Sequence, residues 1–426
     1  MNPISRITVV GLGYVGLPLA VGLAKRYQVT GFDLDRGRID ELAAGKDRTG
    51  EIEGPALKAA KLNMTADAGA IGGADVYIIT VPTPVDDANR PDLGAVVAAS
   101  RTVGKVIGRG AIVVLESTVY PGVTEDIVGP EVAKASGLVC GRDFFLGYSP
   151  ERINPGDKTH TVARITKVVS GQTDAVTKAL GEMYGTLNGG NIFLARDIRT
   201  AEAAKVIENA QRDINIAFIN EVTMIFNKMG LSVHDVLAAA RTKWNFLPFT
   251  PGLVGGHCIS VDPYYLAEAA MRLRHHPEVI LAGRRINDGM AGYIAEQIGR
   301  ALATRRPGTA DILVLGLAFK ENVPDLRNTK VIDVVRGLEA LGHRVDVHDP
   351  VIDPASAQHE YGQAVLPALP AGKRYDAVVM AVSHEAFAGL PAAGLAGLLA
   401  PAAIVFDVKG MWRDATLPAD CTYLTL

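Results

Sequence analysis

The strongest constraint on this chain lies in its first 33 residues. Ile7 to Val10 form a short β-branched run that turns at once into Gly11-Leu12-Gly13-Tyr14-Val15-Gly16. A helical stretch from Leu17 to Arg26 follows, then a second strand-like run, Gln28 to Phe32, ending at Asp33. Strand, glycine turn, helix and strand in this order define a βαβ unit. Gly11 permits the tight turn, Gly13 lets a pyrophosphate approach the backbone, and Gly16 allows close helix–sheet contact. Unpaired N–H groups at the helix start then face the phosphates. Asp33, 20 residues beyond Gly13, is placed to accept ribose hydroxyls and would repel a 2′-phosphate, so the expected dinucleotide is NAD. A bare glycine motif is weak evidence, but its setting between a first strand and a correctly spaced acid makes this one specific. Tyr14 and Val15 in the loop join the expected cofactor contacts. Arg38 either reaches the adenosine side or lies solvated on the surface.

Further buried-strand patterns occur at Val76 to Val81, Ala111 to Glu116 and Phe144 to Gly147. Apolar runs separated by helical stretches predict a mostly parallel sheet covered on both faces. Ala201 to Met229 reads as one long helix without internal glycine or proline, of a length that crosses between domains or supports a subunit interface, although a globular core could also hold it. Shorter helices are expected at Val233 to Ala240 and Tyr264 to Met271, and another over Pro277 to Arg300. From Asp311 the αβ pattern returns, with strands at Ile312 to Leu315, Arg344 to His348, Ala377 to Val382 and Ile404 to Asp407, and a helix over Thr329 to Leu341. Pro307-Gly308 marks a boundary turn. The expected fold is α/β, with two Rossmann-like parallel-sheet domains joined by a central helical domain. The boundaries are 1–199 for NAD binding, 200–306 for the helical part and 307–426 for the second αβ domain.

A length of 426 residues suits two or three such domains. A net charge of −3 argues against broad electrostatic binding of nucleic acid. Cys140, Cys258 and Cys421 are too few and scattered for a disulfide framework or a zinc site, and suit a reducing cytoplasm. No secretory signal and no membrane-length apolar run is evident. The expectation is a cytoplasmic protein with no metal, nucleic-acid or membrane partner.

The sharpest local signal is Gly255-Gly256-His257-Cys258-Ile259-Ser260-Val261-Asp262-Pro263-Tyr264. Two glycines allow close backbone approach, and a cysteine shortly before a helix gains thiolate character. Asp262, four positions on, could orient water or accept a proton. On these residues alone, Cys258 is as well explained by a buried, inert side chain as by a nucleophile. Lys205 and Asn209, four apart on the long helix, share a face with Arg212. A lysine there could stabilise alkoxide-like charge and an asparagine could orient water, although a solvated face explains the pattern too. Val81-Pro82-Thr83-Pro84 and Glu116-Ser117-Thr118 follow strand ends, where an open αβ sheet places its ligand crevice. Pro82, Thr83 and Thr118 are therefore candidate cofactor contacts.

Six blocks together resemble the UDP-glucose/GDP-mannose dehydrogenase family, in particular its UDP-N-acetylglucosamine and UDP-N-acetylgalactosamine 6-dehydrogenase branch. They are VVGLGYVGLPLA from Val9, ESTVYPGVTE from Glu116, GYSPERINPGD from Gly147, AEAAKVIENAQRDINIAFINE from Ala201, GLVGGHCISVDPYYL from Gly252 and LVLGLAFKENVPDLRNTK from Leu313. The resemblance implies a homodimer built around the central helix and a UDP-contacting C-terminal domain. It implies Cys258 as nucleophile, surrounded by Lys205, Asn209 and Asp262, with Thr118 and Glu151 as polar active-site residues. Arg152, Lys320 and Arg327 are implied as substrate contacts alongside Glu151, Lys205 and Asn209. Arg284 is implied as a contact from a neighbouring subunit, unless it merely lies on a helix surface. The implied chemistry is a four-electron oxidation of a sugar C6 hydroxyl to a carboxylate with two NAD⁺, through a Cys258 thiohemiacetal and thioester. Such uronic acids feed capsule, O-antigen or other surface polysaccharides.

Departures from the UDP-glucose pattern set the branch. Enzymes of that type carry PEFLREG and GGSCFPKD, whereas this chain has Pro150-Glu151-Arg152-Ile153-Asn154-Pro155 and GGHCISVD. The expected substrate is a UDP-N-acetylhexosamine, with the gluco configuration favoured over the galacto one. UDP-glucose is the next alternative, and a noncatalytic UDP-sugar-binding regulator is the non-enzymatic one.

Overall fold

The computed structural model describes residues 3–86, 88–152 and 161–426. The branch-specific stretch from Ile153 to Asp157 lies outside the described residues. Backbone packing separates two compact units, Met1–Glu208 with Tyr264–His275, and Asn209–Pro263 with His276–Leu426.

The first unit is built on β1 (Arg6–Val10), β2 (Gln28–Phe32), β3 (Leu62–Thr65), β4 (Val76–Ile79), β5 (Ile112–Leu115), β6 (Phe145–Tyr148), β7 (Lys167–Gly171) and β8 (Ile192–Leu194). Their order is β3-β2-β1-β4-β5-β6-β7-β8. VYII in β4 and IVVL in β5 are buried at every position, as expected of central parallel strands covered on both faces. The pairings are parallel except β6–β7, where Gly147 opposes Gly171. The strand order reverses between β1 and β4, so the glycine loop after β1 and the Thr80–Pro84 loop after β4 flank one crevice. The strand expected to reach Val81 stops at Ile79. Pro82 and Pro84 just beyond it have no N–H for a ladder. β7, β8 and the helix Asp174–Asn188 between them arise from a stretch to which the sequence pattern assigns no element.

The second unit holds β9 (Asp311–Leu315), β10 (Arg344–His348), β11 (Tyr375–Met380), β12 (Leu399–Asp407) and β13 (Thr422–Thr425), ordered β10-β9-β11-β12-β13 and all parallel. Alternation divides its core. Ile312, Val314, Val379 and Phe406 pack on one face with Ile294, Ile298 and Leu338 from two helices. Leu313, Leu315, Val378 and Val405 pack on the other with Phe387, Leu395 and Trp412. The Trp412 indole N–H donates to the Phe387 carbonyl at 2.9 Å, which satisfies its one buried donor. The α/β class with two Rossmann-like sheets and a helical middle is as expected.

The long helix runs Ile198–Met229, three residues earlier than its sequence pattern predicts. Asp197 explains the early start, since its Oδ1 accepts the Thr200 N–H at 2.7 Å. Gly230, at φ 71°, ends it in the left-handed conformation. A second long helix, Glu278–Arg305, outruns its expected end at Arg300 and stops at the Pro307-Gly308 turn, with Gly308 at φ 113°. Among the described residues no helix is long and apolar enough to cross a membrane.

The glycine loop offers a direct test. A Cβ on Gly16 would lie 1.8 Å from the Gly11 carbonyl oxygen, whereas one on Gly13 meets nothing within 4 Å. Gly16→Ala is expected to cost about 2 kcal/mol or more and to lower the thermal midpoint by roughly 5 °C. Gly13→Ala should leave the midpoint within about 1 °C, and equal shifts in thermal denaturation would contradict this account of the loop.

Candidate active site

The nucleotide crevice is held open by backbone geometry. Gly11 takes φ 96°, and a Cβ there would sit 2.9 Å from the Thr80 carbonyl oxygen. Thr80, at the end of β4, donates its hydroxyl toward the Gly11 oxygen at 2.7 Å and the Val10 oxygen at 3.1 Å, locking the two loops together. Asp33 stands where expected and also braces the turn, for its two oxygens accept the Leu12 N–H at 2.8 Å and the Asp35 N–H at 3.0 Å. Each oxygen keeps a second lone pair, as ribose hydroxyls require. Tyr14, Val15, Thr83 and Thr118 are half-buried around this end of the sheet, and Pro82 is exposed. The open space over Gly13, the cradle of Gly11 and Gly16, and the Asp33 carboxylate fit NAD.

Arg38 is not the solvated side chain that was one expectation. It is 4% exposed, donates Nε to the Leu12 carbonyl at 2.9 Å, and pairs with Asp47 at 2.7 Å. It fastens the glycine loop to the segment after β2, because a buried guanidinium requires a carboxylate and Asp47 supplies one.

Behind Thr118 lies a buried charge cluster that sequence reasoning missed. Glu116, 1% exposed, accepts from Lys167 Nζ at 2.8 Å and from the Tyr184 hydroxyl at 2.5 Å. Lys167 Nζ lies 3.5 Å from Glu151 and 5.2 Å from the Tyr184 ring centroid. Burial raises the Glu116 carboxyl and, with the Glu116 charge, raises the Tyr184 phenol, so Tyr184 remains the donor. Burial alone would lower the Lys167 ammonium, but Glu116 and Glu151 outweigh it and hold it protonated. The signal was present in the charge that closes the all-apolar run IVVLE, since such a carboxylate needs a cation. Ser117 Oγ donates to the Val81 carbonyl at 2.6 Å, tying this loop to the one after β4. Arg152 pairs with Glu208 of the long helix at 2.8 Å.

Glu202 on that helix is a second unforeseen anchor. It accepts the Gly122 N–H at 2.6 Å, the Thr124 N–H at 2.9 Å and the Thr124 hydroxyl at 2.6 Å. Burial pushes its carboxyl up to about 7 against these three donors. Lys205, one turn on, is 7% exposed, which removes the solvated-face explanation for it.

In the second unit the cysteine loop is shaped by its glycines. A Cβ on Gly255 would lie 2.6 Å from the Asn328 carbonyl oxygen, and one on Gly256, at φ 85°, 2.7 Å from the Phe319 ring. Cys258 is half-buried and not in a disulfide. Its carbonyl accepts the Asp262 N–H at 2.8 Å, and Asp262 opens the helix Asp262–Arg272, two residues before the expected start. The Asp262 carboxylate, 2% exposed, accepts from Asn209 Nδ2 at 2.5 Å. Burial and then the Arg327 guanidinium push the His257 imidazole down to about 4. It is neutral near pH 7 and supplies no cation to the neighbouring thiol.

Arg327 itself chelates Asp325, Nε at 2.9 Å and Nη2 at 2.5 Å. Lys320 is half-buried between Phe319 and Glu321, which line a cavity of about 30 Å³ with Gly255, Lys330, Ser383 and Lys409. Ser383 Oγ is buried there without a hydrogen-bond partner among the described residues. Lys330, Ser383 and Lys409 were not foreseen, because distant segments bring them together. For Arg284, the helix-surface alternative to a neighbouring-subunit contact is overturned, since the side chain lies in the core. It is 2% exposed and paired with Asp213 at 2.7 Å and Asp288 at 2.6 Å.

A glycine-turn dinucleotide crevice on a reversed parallel sheet, followed by a second Rossmann-like sheet, defines an NAD-dependent oxidoreductase. The chain belongs to the UDP-glucose/GDP-mannose dehydrogenase family. It matches the family's NAD binding domain over residues 5–188, its central domain over 199–289 and its UDP binding domain over 313–414. It is 50% identical over 407 residues to a UDP-N-acetyl-D-glucosamine 6-dehydrogenase of Pseudomonas aeruginosa, covering 95% of this chain and 96% of that protein. A UDP-N-acetyl-D-glucosamine 6-dehydrogenase of Salmonella typhi is 46% identical over 408 residues, with 95% and 96% covered. Among solved structures, a UDP-D-ManNAc dehydrogenase of Pyrococcus horikoshii superposes with a TM-score of 0.87 at 30% identity, covering 99% of this chain and 98% of that one.

His257 makes a pH prediction. Its folded pKa, about 4, lies below the ordinary histidine value of 6.5. The stability of its neutral, buried form is therefore present above pH 6.5 and lost as pH falls through 4. Between pH 7 and pH 4 the wild type should lose about 3 kcal/mol more than His257→Gln, read by denaturant titration at both pH values. Equal losses would show that the imidazole does not titrate in that window.

Proposed function

We propose that this chain is a UDP-N-acetyl-D-glucosamine 6-dehydrogenase that oxidises the sugar C6 hydroxyl to a carboxylate, with Cys258 as nucleophile. The observation that carries the reading is the glycine-pinned Cys258 loop, ending in an Asp262 carboxylate held by Asn209 at 2.5 Å, in a chain half identical to an enzyme named for this activity. The Gly11–Gly16 loop and Asp33 would hold NAD⁺, which would supply the acceptor for one hydride in each of two rounds.

In the first round the C6 carbon gives up a hydride and its hydroxyl gives up a proton to a water held by Asp262 and Asn209, leaving the aldehyde. The Lys205 ammonium offsets the alkoxide-like charge that develops on oxygen. In the second round the Cys258 sulfur adds to the aldehyde carbon and the carbonyl oxygen takes up a proton, giving a thiohemiacetal. Loss of its hydride and hydroxyl proton leaves a thioester. Water then cleaves the C–S bond and returns the thiol, with Glu151 and Thr118 positioning that water. Lys320, Arg327 and Arg152 are assigned to the UDP-sugar. Arg284, buried against Asp213 and Asp288, acts in this reading by holding the second unit together rather than by reaching a neighbouring subunit.

The N-acetyl branch rests on HCISVD in place of SCFPKD around the cysteine, and on 50% and 46% identity to two N-acetylglucosamine enzymes. The boundaries 1–199, 200–306 and 307–426 are retained as the working division. A homodimer through the central helix is supported by Ile207, Phe218, Ile225 and Met229, which are 48–63% exposed at helical spacing on Ile198–Met229.

Two measurements test the reading. Kinetics with UDP-N-acetylglucosamine, UDP-N-acetylgalactosamine and UDP-glucose should show the highest kcat/KM with the first and two NADH per uronic acid. Preference for either other sugar moves the assignment to it, and no NADH with any of them leaves the regulatory alternative. Cys258→Ala should lower complete oxidation by about 10³-fold or more while the protein stays folded; near-normal uronic acid formation would reject the nucleophile.

A further inference from the structure

The cysteine loop is gripped six residues upstream of Cys258 by a side chain outside the chemistry assigned above. Asn220, fully buried on the long helix, engages both polar groups of Gly252. Its Oδ1 accepts the Gly252 N–H at 2.9 Å and its Nδ2 donates to the Gly252 carbonyl at 3.0 Å. The second Nδ2 hydrogen goes to Asn287 Oδ1 at 2.8 Å. Asn287 is fixed in turn, donating to the Asp213 carboxylate at 2.7 Å and its carbonyl at 3.0 Å. The amide orientation of Asn220 is thus set by what surrounds it, since the Gly252 N–H needs an acceptor and two carbonyl oxygens need donors. An aspartate of the same shape has no donor to offer.

The opposite side of Gly252 is equally confined. Lys409 Nζ donates to the Pro251 carbonyl at 3.3 Å, and a Cβ on Gly252, at φ 151°, would lie 2.7 Å from that nitrogen. Between this clamp and Cys258, Leu253 packs on the core, Gly255 and Gly256 lie close on Phe319 and Asn328, and the Gly256 carbonyl accepts from Asn328 Nδ2 at 3.2 Å and the Ser260 hydroxyl at 2.5 Å. The loop has no regular secondary structure to keep its course. An amide paired with one peptide unit therefore fixes the upstream end of the path that leads to the sulfur.

We propose that Asn220 is a positioning residue for Cys258, holding the loop so that the sulfur meets the C6 aldehyde. The inference rests on the two-round oxidation proposed above. The first hydride transfer makes no use of sulfur, whereas thiohemiacetal formation does. Loosening the clamp should therefore uncouple the rounds rather than slow both equally.

The test uses the full-length protein with Asn220→Asp and Asn220→Ser, and Asn287→Ser as a second variant that leaves Asn220 in place but removes the oxygen it donates to, together with the two bonds from Asn287 to Asp213. NADH formed per UDP-N-acetylglucosamine consumed should fall from two toward one, with aldehyde accumulating. Complete oxidation should slow by about tenfold or more while KM moves less than about threefold, as expected when a reacting group is misplaced by a fraction of an ångström. The rate of Cys258 alkylation by iodoacetamide, followed by peptide mapping without substrate, should also change. If the Asn220 variants do not fold, Asn287→Ser should show the same effects at smaller size. Folded variants with wild-type NADH stoichiometry and wild-type alkylation would overturn the proposal. A wild type that fails to make two NADH per sugar contradicts the function instead, and the alkylation rate then decides the clamp by itself.

Discussion

The periodicity of one helix organises the polar interior of this protein. Glu202, Lys205, Asn209, Asp213 and Asn220 follow one another on Ile198–Met229 at intervals of three, four, four and seven, which is one face of an α-helix. Glu202, Asp213 and Asn220 are completely buried, and each holds a different loop or helix of its own unit. Glu202 takes the backbone after Thr118, Asn209 takes Asp262, Asp213 takes Arg284 and Asn287, and Asn220 takes Gly252. A buried polar group without a partner costs roughly 1–3 kcal/mol, so each of these residues restricts the segments that satisfy it. A stripe that looks like the wet side of an amphipathic helix is instead what locates the loops.

That reversal explains what could be read before the structure and what could not. The glycine loop, Asp33 and the cysteine loop were legible because their chemistry is local. Gly16 is a glycine because of Gly11, five residues away, and Asp33 follows its turn at a fixed distance along one βαβ unit. Lys167 and Tyr184 were not legible. Their reason for existing is Glu116, 51 and 68 residues earlier, and no spacing rule joins a buried carboxylate to the particular cation that neutralises it. Asn220 lies within the Ala201 motif block but is illegible for the same reason, since nothing in the sequence shows that its amide meets Gly252.

Arg38 and Arg284 show the complementary error. An arginine on a helix is most often a surface residue, and that alternative was kept for both. Whether it holds depends on carboxylates elsewhere in the chain. Asp47 comes within 2.7 Å of Arg38, and Asp213 and Asp288 bracket Arg284. Once a carboxylate is supplied, the guanidinium can be buried as a tie between segments, and removing either partner would then strand the other. Arg38 ties the Leu12 carbonyl to Asp47, and Arg284 ties its helix to Asp213 of the long helix.

The same reasoning bears on how the thiol reacts. The residue beside Cys258 is a histidine, yet burial and Arg327 keep its imidazole neutral, so it cannot form the ion pair that activates thiols in cysteine hydrolases. The group four residues on is an acid, Asp262, whose charge opposes a thiolate nearby and is engaged by the Asn209 amide. Neither neighbour favours a permanently ionised sulfur. The proposed chemistry does not require one, because its electrophile is an aldehyde, which is more reactive than the amides cysteine hydrolases attack. In that proposal a sulfur of modest nucleophilicity suffices, since it reacts only after the first hydride has left and the aldehyde exists. What the protein must supply is placement, so the demands fall on the loop from Gly252 to Cys258 and on the amide and glycines that hold it.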